Sequence, residues 1–174
     1  DDAHRLTKTV DTTTLTDKST KNMVSQSVVE NDYRYDAQGY KSISGNHAVT
    51  TYYADGIVTG SDEWGSSNHP VFDDSGKQIG WEHSYLNMRY DAQGILINGN
   101  KYTYTDTFIF DAMGKRIGDT VLSTDERLGV NGDVISHREM MRSKQPIMDE
   151  NGKNIGHTET NSDIQYDANH AILS

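Results

Sequence analysis

The chain has no cysteine among its 174 residues, which excludes disulfides and thiolate chemistry. It has few aliphatic side chains: Val, Ile, Leu and Phe number 32, below a fifth of the chain. No apolar run approaches the ~18 residues of a membrane-spanning helix, and no secretory leader is recognisable in the sequence. Positive charge is in deficit: 16 Lys and Arg stand against 26 Asp and Glu, a net charge of −10. That balance, with no Lys/Arg-rich stripe, argues against nucleic acid and anionic membrane surfaces as partners. Scarce aliphatics with high net charge ordinarily point to disorder. Against disorder stand 10 Tyr, 2 Trp, only 2 Pro and 15 Gly placed at regular intervals.

Those glycines belong to a repeat. FDDSGKQIG at 72–80 returns as FDAMGKRIG at 110–118 and MDENGKNIG at 148–156, so that Asp73, Asp111 and Asp149 are spaced by 38 and 38. YDAQG at 35–39 lies about one period earlier, with Asp36 and Gly39. Between these stand YYADGIV (Asp55, Gly56), RYDAQG (Asp91, Gly94), GVNGDVI at 129–135 and QYDANH, where His170 occupies the place of Gly after Asp167. Successive units fall 18–20 residues apart, and 38 is two of them. Asp at the first and Gly at the fourth position fit a type I turn followed by a left-handed residue, the loop of a bulged hairpin. The fold expected is all-β and antiparallel, about nine or ten hairpin or meander units forming a spiral or barrel-like sheet.

The seam of that sheet is expected to pair the residue before Asp (Tyr35, Phe72, Tyr90, Phe110, Met148, Tyr166) with Ile79, Ile117 and Ile155 across the strands. Second breaks at SGN 44–46, GSDEWGSSN 60–68 and NGN 98–100 predict strands of about 5–7 residues with bends. A parity switch in QIGWEHSYLNMRY predicts a bulge near Ser84. Residues 1–30 form a polar Thr/Ser-rich segment, either strands or a mobile arm. The repeat domain then covers 31–174.

YRYDAQG, MRYDAQGIL, IQYDANHAIL and DAHRLTKT resemble the YD repeat of the RHS family, Tyr-x-Tyr-Asp-x-x-Gly followed by an aliphatic residue. The resemblance implies a continuous spiral β-sheet acting as a shell or scaffold on secreted or surface proteins. FDDSGKQIG and its copies also resemble the Asp-x-x-Gly-x-x-Ile-Gly turn of the allene oxide cyclase and dirigent barrels. That implies an eight-stranded barrel with a ligand-binding or cyclising interior.

No nucleophile elbow, P-loop or dinucleotide fingerprint is present. Trp64, Trp81, Tyr85, Tyr102 and Tyr104 are the candidate ligand-binding residues: as a flat aromatic face they suit sugar rings, and otherwise they stand in for the missing aliphatic core. DENGKN offers Asp149, Asn151 and Asn154 as oxygen donors for Ca²⁺, short of an EF-hand set. HREMM offers His137, Met140 and Met141 to Cu(I), although strand alternation explains that cluster more simply. Glu82 with His83 and His157 with Glu159 are candidate acid–base pairs. The seven histidines show no zinc spacing.

The function expected is a non-enzymatic, exported structural or binding module, secreted or at the cell surface, with no cofactor beyond the Ca²⁺ option. Its partner is a protein neighbour or a glycan. The partial first and last units, the latter YDANHAILS, predict self-association through edge strands into a homo-oligomer. The alternative is a small-molecule-binding barrel or cyclase.

Overall fold

A computed structural model describes residues 5–35 and 41–173. Nine strands form one sheet: β1 (Lys8–Thr16), β2 (Met23–Tyr35), β3 (Lys41–Ala54), β4 (Ile57–Phe72), β5 (Gln78–Asp91), β6 (Leu96–Phe110), β7 (Arg116–Leu128), β8 (Val134–Met148) and β9 (Asn154–Asp167). A 3-10 turn, Val130–Gly132, joins β7 to β8. The order across the sheet is the order in the chain, and every pairing is antiparallel. The sheet is therefore an open meander. It does not close into a barrel, because among the described residues β1 and β9 stay at opposite margins.

A meander sends successive turns to opposite margins, which explains the period. Turns 73–77, 111–115 and 149–153 lie along one margin, and turns 17–22, 54–57, 91–95 and 129–133 along the other. Asp36 and Gly39 of the earliest YDAQG copy lie outside the described residues, as does His4 of DAHRL.

The Asp-x-x-Gly loops share one hydrogen-bond frame. The Gly76 N–H donates to the Asp73 carbonyl, and the Asp73 N–H to the Lys77 carbonyl. The Asp73 carboxylate accepts from the N–H groups of Ser75 and Lys77. Asp91, Asp111, Asp149 and Asp167 repeat both carboxylate contacts two and four residues on. The left-handed position is taken by Gly76 at φ 82° and, in the last copy, by His170 at φ 58°.

The strands run 13–16 residues from β2 to β9, not 5–7. A strand in a single layer has no core boundary at which to stop, and the supposed breaks sit inside strands. In NGN, a Cβ on Gly99 would run into the sulfur of Met88, so this glycine makes the space in which Met88 is buried. Gly65 has a looser site, where a Cβ would make ordinary contacts with Leu86 and His47. No bulge occurs at Ser84, which pairs in unbroken register with Ser67 and Thr103. The parity switch reflects a sheet with apolar residues on both faces. Residues 8–16 and 23–35 are strands, so the Thr/Ser-rich segment is part of the sheet.

The bulges lie elsewhere, and there is one in each hairpin. Phe72 pairs with Gln78 and Val71 with Gly80, leaving Ile79 as the extra residue. Val24, Ser44, Thr59, Ile97, Ile117, Ile135 and Ile155 are extra in the same position of their hairpins. The expected Phe72–Ile79 seam is thus displaced by one residue. The glycine of Ile-Gly has its own reason. A Cβ on Gly80 would strike the Asp106 carbonyl of β6, and one on Gly118 the Lys144 carbonyl of β8.

Among the described residues, substantive packing runs only between strands adjacent in sequence, apart from the 3-10 turn against β6. Among the described residues the buried apolar side chains are Ala48, Met88 and Leu128. The molecule is one layer with two wet faces, where an ordinary domain stacks two layers around a core.

Candidate functional site

Because side chains alternate along a strand, the register assigns each residue to a face. Trp81 is opposite Asp106, His83 opposite Tyr104, Tyr85 opposite Tyr102 and Asn87 opposite both Trp64 and Asn100. Trp64, Trp81, Tyr85, Tyr102 and Tyr104 therefore share one face of three adjacent strands, β4 to β6. Trp64, Tyr85 and Tyr104 are successive diagonal neighbours, each step about 7–8 Å. They make an oblique line of rings across the strands. Tyr85 and Tyr102 have centroids 6.1 Å apart, and His83 and Tyr104 5.5 Å. Trp64 is 46% and Tyr85 51% exposed. Trp64 and Tyr85 are thus too exposed to act as enclosed core residues, while Trp81, Tyr102 and Tyr104 are half-buried beside them.

Beside the rings lie polar atoms with nothing to bind. Asn46 Oδ1, Asn68 Oδ1 and Asp106 Oδ1 are buried and lack a hydrogen-bond partner. Asn46 is opposite Ser66, which places it on this face with Asn68, itself opposite His83. Asn46 gives its amide N–H to Asn31 Oδ1, so its free atom is an acceptor. Burial pushes the Asp106 carboxyl above its ordinary pKa, and Arg116, 3.5 Å from Oδ2, counters this in part. Burial also raises the Tyr104 hydroxyl, with Asp106 adding to it. Arg116 itself is engaged: it bonds Asp119 at 3.0 Å and stacks at 3.9 Å over Phe108. The ring line runs on into a hollow of about 350 Å³ lined by Tyr102, Tyr104, Met140, Arg142, Asp163 and the buried Ser123.

The opposite face holds a group that sequence reasoning missed. His47 Nε2 lies 2.7 Å from Glu63 Oε1, and the Tyr90 hydroxyl donates to Glu63 Oε2 at 2.6 Å. The Tyr90 bond is the main reason Glu63 stays below its ordinary pKa, and the same bond pushes Tyr90 up to about 12. These three residues come from three strands, and only cross-strand register joins them. The nearby Ser67 and Ser84 hydroxyls pair at 2.6 Å.

The metal candidates are not brought together. His137 and Met141 share a face but stand four residues apart on β8, about 13 Å along a strand. His137 instead sits between Glu126 (3.4 Å from Nδ1) and Glu139 (3.1 Å from Nε2), against the rings of Tyr166 and His170. Asp149 spends one carboxylate oxygen on the N–H groups of Asn151 and Lys153, so both Asp149 and Asn151 serve the turn. Among the described residues no three His, Cys, Asp or Glu side chains gather as a metal set. Glu82 and His83 are consecutive in a strand and point to opposite faces. His157 and Glu159 share a face of β9, opposite Pro146 and Lys144.

Compared with known proteins, the chain matches no family model and no curated protein. The two resemblances therefore rest on their motifs alone.

Proposed function

We propose that the chain is a non-enzymatic, exported binding module that works by presenting a broad sheet face, with Trp64, Tyr85, Tyr102 and Tyr104 as its contact surface. One observation carries this reading: nine strands lie in a single layer and bury only Ala48, Met88 and Leu128 as apolar core among the described residues. A protein of this build has surface in place of an interior, and its largest aromatic group stands on that surface. The open sheet supplies no enclosed barrel interior, so the small-molecule carrier or cyclase alternative has no chamber to work with.

Small-angle X-ray scattering tests the build. A single layer of nine strands gives a flat particle, about 10 Å thick and roughly 40–50 Å across in its other two dimensions. A Trp81→Phe variant isolates Trp64, whose fluorescence is then readily quenched by acrylamide, as its half-exposed side chain requires. A compact, near-spherical particle, or a shielded Trp64, overturns the proposal. A particle that doubles in mass with concentration while Trp64 becomes shielded assigns the contact face to a second copy of the chain.

A further inference from the structure

We infer that the partner of the aromatic face is an uncharged glycan chain, lying obliquely along Trp64, Tyr85 and Tyr104 with its far end over the Ser123 hollow. The inference rests on the binding-module reading and names its ligand class.

Two independent features on the same face point to this chemistry. The first is the ring line. Three aromatic planes on a gentle diagonal, two of them about half exposed, suit a chain of flat, repeating units with an apolar C–H face. Two diagonal steps span about 15 Å. A peptide seeking an extended partner would find no unpaired backbone here, because β4, β5 and β6 are hydrogen-bonded on both sides. The second feature is the set of unpartnered oxygens. Asn68 Oδ1 and Asp106 Oδ1 border the rings directly, and Asn46 Oδ1 lies one strand further out. All three are acceptors, and a buried acceptor without a donor is costly. All three side chains are only partly buried, so a rotation that turns the acceptor outward lets a ligand rich in hydroxyl donors remove that cost, which a hydrocarbon surface does not.

The charge of the glycan follows from what borders the line. Asn68, Asn87, Asn100 and Asp106 are neutral or acidic, and each guanidinium along the line stands beside a carboxylate: Arg89, diagonal to Trp64, beside Asp62, Arg116 beside Asp106 and Asp119, and Arg142 at the hollow beside Glu159. A uronate or sulfate would have to displace these carboxylates from their arginines and would face a chain of net charge −10. Hydroxyl groups accept as well as donate, so neutral sugars satisfy amides on both sides of the line.

The test is calorimetric titration, with tryptophan fluorescence alongside, using hexamers of β-1,4-linked glucose, mannose, xylose and N-acetylglucosamine. Hexagalacturonate serves as the anionic arm. At least one neutral hexamer binds in the micromolar to millimolar range and shifts tryptophan emission, and hexagalacturonate does not bind. Trp64→Ala and Tyr85→Ala each weaken binding about tenfold or more, as aromatic anchors do. Tyr85→Phe keeps most of it, and Asp106→Asn keeps more than Asp106→Ala. Circular dichroism of each variant confirms that the sheet is intact. Binding that survives both ring deletions, tighter binding of the uronate, or no neutral hexamer bound at millimolar concentration overturns the inference. If the scattering particle is one layer and no sugar binds, only the ligand class fails. If the particle is compact, both readings fail.

Discussion

The two turn margins of the sheet solve one problem with different chemistry. Along one margin, Asp73, Asp111 and Asp149 build the same five-residue loop with the same bonds, each ending in Gly-Lys. The lysine also links copies: Lys77 Nζ lies 3.6 Å over the Phe110 ring of the next. Along the other margin almost every loop differs. Asp17 caps a longer loop that turns on Lys21 at φ 62°. Asp55 and Gly56 make a two-residue turn with both residues left-handed, and Gly129–Asp133 turns on Asn131 and Gly132. Asp91 alone repeats the first margin's loop between two strands. The lesson is that turn identity is negotiable, whereas the bulge two or three residues beyond it is present in every hairpin.

The largest expected effect tests that bulge. Gly118→Ala places a methyl group on the Lys144 carbonyl and costs about 3 kcal/mol or more. Gly60→Ala, on the variable margin, meets the Tyr90 carbonyl at φ 159° and is also strongly destabilising. Gly156→Ala, which meets only Ile147 Cδ1 at 3.9 Å, is nearly neutral by urea unfolding. Equal losses at all three sites break the comparison.

Next come the left-handed positions. Gly114→Ala at φ 79° costs about 1 kcal/mol. On the other margin the residues already there are strained, so His170→Gly and Asn131→Gly hold or raise stability by up to roughly 1 kcal/mol, read as thermal midpoints. A clear loss at either shows that the side chain, and not the backbone, holds the turn.

The smallest effect is on acid stability. Bonds from Ser75 and Lys77 hold the Asp73 carboxyl below its usual 3.8, and bonds from Ala171 and Asn169 do the same for Asp167. A carboxylate with a lowered folded pKa contributes fully above its unfolded pKa and loses that contribution as pH falls through the folded value. The thermal midpoint therefore declines below about pH 4. Asp73→Asn and Asp167→Asn flatten that limb modestly, since both groups are exposed. An unchanged limb assigns the decline to other carboxylates.

The turns were legible because Asp and Gly carry their reasons locally, a carboxylate that bonds forward and a backbone that turns left. The DKSTKN loop was not legible, because Lys21 takes the glycine conformation and gives no sign of it in the sequence. Strand length is hidden for a similar reason: Gly99 of NGN makes room for Met88 and Gly60 of GSDEWGSSN for the Tyr90 carbonyl, neighbours that are distant in sequence. The aromatic candidates could be named but not placed on a common face without cross-strand register. Nor does any sequence signal show that Asn46, Asn68 and Asp106 would lack a partner, or that Glu63 would join His47 to Tyr90.

Since, among the described residues, each strand packs chiefly on the one before and the one after, tension applied at the ends meets no keystone. A pull across the sheet unfastens one hairpin at a time, each release of 18–20 residues paying out roughly 60 Å of slack. The molecule would yield under load as a tape peels, in small steps of similar size, with the remaining strands still in register and ready to close again.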